Sequence, residues 1–390
     1  MDYRGLHERL SGAAEPPIRM PGFQFGALPL DLSTLDSHDL FVLPIPQRRL
    51  EELLEDRARS LGILVRRGQE VTTVRQGSDE VTAEVRGPEG TYEVSARYLV
   101  GADGGQSVVR KQSGIDFPGI TDEDMPLAEL RDAVKRVLGA ELPMSEPPGA
   151  HPALRRTAGI NSRQADRYRQ GRVFLVGDAA HVHSGVGGPG LNLGLQDVLN
   201  LGWKLAAAVH GWAPPGLLDT YEAERHPVGE RVIMHTRAQL ALLQPGPNTT
   251  ALRELMTELL ADQGNRRHLA DLMAGADIRY GTTDTHPMAG RWMPDLALRD
   301  GSRVAELLRP GRPVLLDLGA GVAAATWTEW ADRVDTVVTT ADTPVKAVLI
   351  RPDGYVAWAT NGSTDGGTDG LREALTEWFG QAGPRRSLTR

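Results

Sequence analysis

The sequence predicts a mixed α/β protein, and three observations carry that prediction. Two apolar strands, Tyr98–Val100 and Val173–Val176, each run into an acid in a glycine turn, Gly101-Ala102-Asp103-Gly104 and Gly177-Asp178, and then toward a helix. Between residues 70 and 95, short runs alternate apolar and polar side chains at the two-residue period of a half-buried sheet. Long helical periodicities follow the second acid turn, and short β runs close the chain.

Composition narrows the function classes. The 390 residues carry a formal net charge of −8, which argues against nucleic acid as a partner. The chain has no cysteine, which removes disulfides, thiolate metal sites and cysteine nucleophiles and makes a cytoplasmic location the expectation. No apolar run reaches the length of a membrane span, and no basic-then-apolar signal segment opens the sequence.

In order, Tyr3–Leu10 reads as a short helix ending at Ser11-Gly12, and residues 22–33 as strand and turn. Pro44-Ile45-Pro46-Gln47 leads into a helix on which Leu50, Leu53, Leu54, Ala58 and Leu61 recur, closed by Gly62. Ile63–Val65, Glu70–Val74, Val81–Arg86 and Thr91–Ser95 read as an antiparallel meander with Gly87-Pro88-Glu89-Gly90 as a hairpin turn. Leu127–Leu138 reads as an amphipathic helix before a Pro-rich linkage around Pro143–Pro152. Arg163–Arg169 reads equally as a solvated helix or as a polar lead-in to the strand at Val173. Leu191–Val209 is a long helix with Leu195, Val198, Leu199, Trp203, Leu205 and Ala206 as its apolar side, and Asp219–His235 and Thr250–Met273 are further helices. After a linker-like His286–Asp295, the runs Val314–Leu318, Val334–Thr339 and Ala347–Ile350 are strands with helices between them. Arg351–Trp358 turns into a last strand, and the tail from Arg385 is disordered.

The chemistry concentrates at Gly177-Asp178 and the loop that follows. A carboxylate at a strand end binds ribose-type hydroxyls, and backbone N–H groups at a helix start bind an anion or an electron-rich carbonyl. Gly187-Gly188-Pro189-Gly190-Leu191-Asn192 places such a helix start just downstream. Other chemistries find little support. His181 and His183 lack a third ligand for a metal, His226 and His235 read as structural, and no Gly-x-Ser-x-Gly elbow supports a hydrolase triad.

Tyr98-Leu99-Val100-Gly101-Ala102-Asp103-Gly104-Gly105-Gln106-Ser107-Val108-Val109-Arg110 resembles the Asp-Gly motif of single-component FAD-dependent aromatic hydroxylases. Gly177-Asp178-Ala179-Ala180-His181 with Gly187–Asn192 resembles their Gly-Asp motif, and Gln196–Leu205 and Leu217–Pro227 resemble the helices that follow it. The likeness is nearest to the polyketide hydroxylases of the angucycline, anthracycline and tetracycline type. It implies a glutathione-reductase-like, para-hydroxybenzoate-hydroxylase-like FAD-binding fold with a thioredoxin-like C-terminal domain. It further implies FAD as cofactor, NAD(P)H as co-substrate, and an aromatic polyketide as the small-molecule substrate. By resemblance Asp178 meets the ribityl chain, Gly188–Asn192 the flavin ring, Gln47 the cofactor, and the Asp103-Gly104 unit both FAD and NAD(P)H.

Two departures from that family are large. No Gly-x-Gly-x-x-Gly follows an N-terminal strand, so the family's first βαβ unit and its diphosphate loop are not in this sequence. The stretch between Asp103 and Asp178 is too short for the family's middle sheet. The expected organisation is therefore a partial FAD-binding domain over residues 1–120, a shortened middle domain over 121–160, completion of the FAD-binding domain over 161–284, and a cysteine-free thioredoxin-like domain over 285–390. That last domain is left with structural packing or homodimerisation. The leading expectation is a flavin monooxygenase with no nameable catalytic acid or base. The rivals are a flavin-free relative, acting as a non-redox polyketide-processing enzyme or a binding protein, and a chain completed by a partner that supplies the βαβ unit.

Overall fold

The computed structural model describes residues 2–12, 19–36, 38–121, 131–132, 134–135, 140–145, 161–281, 286–322, 327–362 and 370–383. A single 3-10 turn at Asp2–Arg4 precedes α1 (His7–Ser11), and β1 (Gly22–Phe25) and β2 (Leu28–Asp31) form a hairpin. Its turn requires glycine: Gly26 has φ +59, and a Cβ there would lie 2.7 Å from the Gln239 carbonyl oxygen. α2 (Gln47–Ser60) buries Leu50 against Leu6 and Leu10.

The expected meander is β3 (Glu70–Gln76), β4 (Val81–Gly87) and β5 (Gly90–Ala96), with Val81, Ala83 and Val85 turned inward from β4. Ile63–Val65 is not a strand of it. These residues have no β partner, and Ile63 and Leu64 are 56% and 72% exposed. An apolar β-branched run becomes a strand only where another strand takes its backbone groups.

β6 (Leu99–Gly101) leads through the Asp103 turn into α3 (Val108–Gln112). β7 (Gly119–Thr121) and β8 (Asn161–Gln164) begin a small antiparallel sheet. β9 (Arg169–Gln170) and β10 (Val173–Leu175) follow, and β10 lies between β9 and β6, parallel to β6. β11 (His181–Val182) completes the small sheet beside β8. Arg163–Arg169 is therefore strand and turn rather than a solvated helix, and Ala165 and Tyr168 within it are fully buried. Among the described residues nothing pairs with the outer side of β6, where Val100 is 41% exposed. An unpaired parallel edge of this kind leaves backbone donors and acceptors open. The helix expected over Leu127–Leu138 lies mostly outside the described residues, as does the Pro-rich linkage after it; the tail from Arg385 lies wholly outside them.

α4 (Gly190–His210) and α5 (Asp219–Leu243) pack behind β10, where the Tyr221 hydroxyl donates to the Leu175 carbonyl at 2.6 Å. The buried side of α4 differs from the expected one. Leu193, Asp197, Asn200, Leu201, Lys204 and Ala207 face inward beside Trp203, whereas Val198 and Ala206 are exposed. Three polar residues on the inner face were invisible to a count of apolar periodicity. The helix expected over Thr250–Met273 is two helices, α6 (Pro247–Leu259) and α7 (Gln263–Ala274). Asp262 breaks it by capping α7 through a bond from the Asn265 N–H.

The C-terminal unit begins with a one-turn helix, α8 (Val304–Leu307). Its sheet holds β12 (Val314–Asp317), β13 (Asp335–Val338), β14 (Ala347–Ile350) and β15 (Val356–Thr360) in the order β13-β12-β14-β15, with β12 and β13 parallel. α9 (Leu371–Phe379) covers one face. This strand order is thioredoxin-like. The eight residues from 339 to 346 hold no helix, because Pro344 and the short span leave none to form, and a 3-10 turn at Trp327–Trp330 is the described helical piece before β13. The segment read as a linker is packed. Met293 is fully buried, and Tyr3 stacks on Trp292 with ring centroids 5.0 Å apart and donates to the Met293 carbonyl.

A buried polar cluster joins the two halves. Arg351 makes a two-pronged contact with Glu224, at 2.6 and 2.8 Å, and binds Asp353 as well. Lys204 donates to Glu224 at 2.7 Å, and the Trp203 indole donates to Asp353 at 3.2 Å. Burial alone would raise the Glu224 carboxyl, but Arg351 and then Lys204 outweigh it and hold it at about 2. Burial pulls the Lys204 ammonium down to about 8 despite its carboxylate partner, so it stays charged across the range in which Glu224 titrates and acts beside Arg351.

The folded carboxyl titrates below its ordinary value of 4.5, so its contribution is complete above that pH and disappears on acidification toward about 2. Urea unfolding across that window is expected to show a loss of about 3 kcal/mol from this group, and Glu224→Gln is expected to flatten the limb.

Candidate cofactor and substrate site

The two acid turns stand side by side because β6 and β10 are parallel neighbours, with both turns at their carboxyl ends. That is where open parallel sheets place ligands. Asp103 uses its carboxylate locally, accepting from the Ser107 hydroxyl at 2.5 Å and from the Val108 and Val109 N–H groups at 2.7 and 3.1 Å. Gly104, at φ +79, makes the turn that allows this. Arg110 ties the two turns together. It donates to the carbonyls of Gly105 and Ala179 and lies 3.7 Å above the Phe117 ring. Sequence spacing places Arg110 on the helix but does not reveal this bridge.

Gly177 has φ +57, a left-handed conformation that favours glycine. Its N–H donates to Asp197 Oδ2 of α4 at 3.1 Å. The same carboxylate accepts from His181 Nε2 at 2.6 Å and from Arg225 Nε at 2.7 Å, all of it buried. Burial would raise the Asp197 carboxyl, but Arg225 and His181 hold it below its ordinary value. The Gly-Asp turn is thus pinned to α4 through an ion pair. Asp178 is left exposed, with no hydrogen-bond partner among the described residues.

The glycine loop opens onto a cavity of about 840 Å³, within the range of small-molecule sites. Of the residues picked out in the sequence, Gly187, Gly188, Pro189, Leu191 and Asn192 line it, with Gly190 in the same helical turn. Gln47, Asp103, Gly104, Gly177 and Asp178 do not. Gln47 is exposed on α2, bonded to Glu51. Opposite the loop stand Phe23, Leu40, Phe41, Leu272 and Ile278, with Val228, Val232, His235 and Gln239 of α5. The first turn of α4 carries no acidic residue, so its N–H groups keep their positive end toward the cavity. A Cβ on Gly188 would meet nothing within 4 Å, so the loop surface is open.

Known proteins resemble this chain in sequence and fold. The FAD binding domain family matches residues 1–137 and 129–236, and the aromatic-ring hydroxylase C-terminal family matches residues 286–382. The 12-dehydrotetracycline 5-monooxygenase/anhydrotetracycline 6-monooxygenase of Streptomyces rimosus subsp. rimosus is 42% identical over 454 aligned positions, covering 97% of this chain and 89% of that protein. Dialkyldecalin synthase of Streptomyces rugosporus is 36% identical over 430 positions, covering 94% of this chain and 86% of that protein. The solved structure of the OxyS anhydrotetracycline hydroxylase from Streptomyces rimosus matches with a TM-score of 0.85 at 40% identity, over 98% of this chain and 89% of that one. The 454 aligned positions exceed the 390 residues present, so that relative has internal segments this chain lacks.

Asp197→Asn is expected to leave Arg225 buried without its counter-charge and to cost about 3–5 kcal/mol in denaturant unfolding. Amide exchange at Gly177 should accelerate in the same variant, because its N–H acceptor is weakened.

Proposed function

The chain belongs to the FAD-dependent aromatic-ring hydroxylases, and on that footing we propose that it hydroxylates an aromatic polyketide using FAD and NAD(P)H. The observation that carries this reading is the α4 start, its N–H groups uncompensated, opening onto a largely apolar cavity of about 840 Å³. When bound, the flavin takes two electrons from NAD(P)H and passes one oxygen atom of O2 to an aromatic carbon, the other leaving as water.

The residues present fit the ring and ribityl half of such a cofactor. The free Asp178 carboxylate suits the ribityl hydroxyls, and the N–H groups of Gly190, Leu191 and Asn192 suit the electron-rich ring carbonyl. Gly187 and Gly188, at φ +79 and +71, bring bare backbone against the ring. Phe23, Leu40 and Ile278 exclude water from the substrate side. Gln47 and the Asp103-Gly104 unit are assigned to the cofactor and the nicotinamide by resemblance.

A second reading keeps the fold and drops the redox step, giving a non-redox polyketide-processing enzyme or a binding protein. The relative named dialkyldecalin synthase favours it.

The purified chain titrated with FAD decides between them. The expected result is flavin absorbance that stays with the protein, roughly 10–100-fold weaker binding in Asp178→Ala, and NAD(P)H oxidation stimulated by anhydrotetracycline. A colourless protein that takes up no FAD would reject the hydroxylase in favour of the second reading.

A further inference from the structure

We infer that His235 orients the substrate, offering a neutral Nε2–H as hydrogen-bond donor to a carbonyl or phenolic oxygen of the polycyclic ring system. The inference rests on the hydroxylase reading above and deepens it.

Val228, Val232, His235 and Gln239 recur on one stripe of α5, and all four line the cavity. The two valines supply apolar wall, and His235 and Gln239 are the polar members. The hydrogen bonds around Gln239 fix where the histidine proton sits. The Gly26 N–H in the β1–β2 turn can only donate, and it meets Gln239 Oε1 at 3.1 Å. The amide orientation is thereby set, and Nε2 of Gln239 faces His235 Nδ1 at 3.2 Å. That amide nitrogen can only donate, so Nδ1 must accept. In a neutral imidazole the proton then lies on Nε2. Nε2 has no hydrogen-bond partner among the described residues, although the side chain is only 2% exposed.

The surroundings keep the ring uncharged. Protonating Nδ1 would set its N–H against the Gln239 amide. Burial, and then His183, pull the imidazole down to about 4. His183 lies on the glycine loop with its Nδ1 donating to the Ser184 carbonyl. Asp277, the neighbouring acid, is bound to Arg231. A neutral donor suits an uncharged ring oxygen. Gln239 also touches the glycine loop, because a Cβ on Gly187 would lie 3.2 Å from its amide. The oxygen held by His235 therefore sits in the same chamber as the loop assigned to the flavin ring.

The test has two measurements. Nitrogen-15 NMR of wild-type protein at neutral pH is expected to show His235 with Nε2 protonated and Nδ1 bare. A reversed tautomer or a charged ring overturns the inference, whether or not flavin is bound. Equilibrium binding of anhydrotetracycline, read by its fluorescence, is expected to weaken about tenfold in His235→Phe. Turnover should show the change in KM more than in kcat. Gln239→Glu keeps the acceptor for Gly26 but demands a proton on Nδ1, and is expected to switch the tautomer and weaken binding in parallel. Indistinguishable binding by wild type and His235→Phe overturns the proposal. Failure of the hydroxylase reading would look different, as a wild type that takes up no FAD.

Discussion

The contact between Arg351 and Glu224 is the constraint on which the rest of the molecule depends. It lies where α4, α5 and the C-terminal sheet meet, and both side chains are buried. Such a pair is not a strong source of net stability, since desolvating both ions offsets most of their attraction. Its effect is geometric. A guanidinium with two carboxylates around it, one indole donating and Trp378 4.3 Å away, accepts few alternative arrangements. The C-terminal unit is thus registered against the helices, and those helices carry the cavity stripe and the loop that opens onto it.

A second buried pair, Asp197 with Arg225, does the same one turn away and closer to the site. Arg225 also reaches the Tyr280 hydroxyl and the Leu193 carbonyl, so the start of α4, the Gly177 turn and the strap through Tyr280 share one network. The turn and helix start beside the cavity are therefore held from behind by this network.

Much of this was legible in the sequence where local pattern decides the outcome. The alternation at Val81, Ala83 and Val85 marked the meander, and the two strand-then-acid units marked the parallel pair β6 and β10. The misses share a cause: each depends on a partner distant in sequence. Ile63–Val65 has strand composition but no strand to pair with. The inward face of α4 is set by Glu224 and Arg225 on another helix and by Asp353 from the far end of the chain, so apolar periodicity found Trp203 but missed Asp197, Asn200 and Lys204. The place of His235 on the cavity wall was also not legible, because it depends on the rotation of α5, although its spacing from Val228, Val232 and Gln239 carried the signal. The division at Asp262 could have been seen, since an acid three residues before Asn265 is a helix start.

Tyr3 carries one more consequence. Its ring belongs to the same hydrophobic cluster as Met293, Leu298, Val314 and Val356, and Arg4 donates to the carbonyls of Leu308 and Pro352. Residues at the start of the chain therefore complete a core whose other members come near its end. During synthesis Tyr3 and Arg4 lack these partners until the C-terminal sheet emerges. A nascent chain stalled before β14 would leave the apolar members of this core exposed in both places.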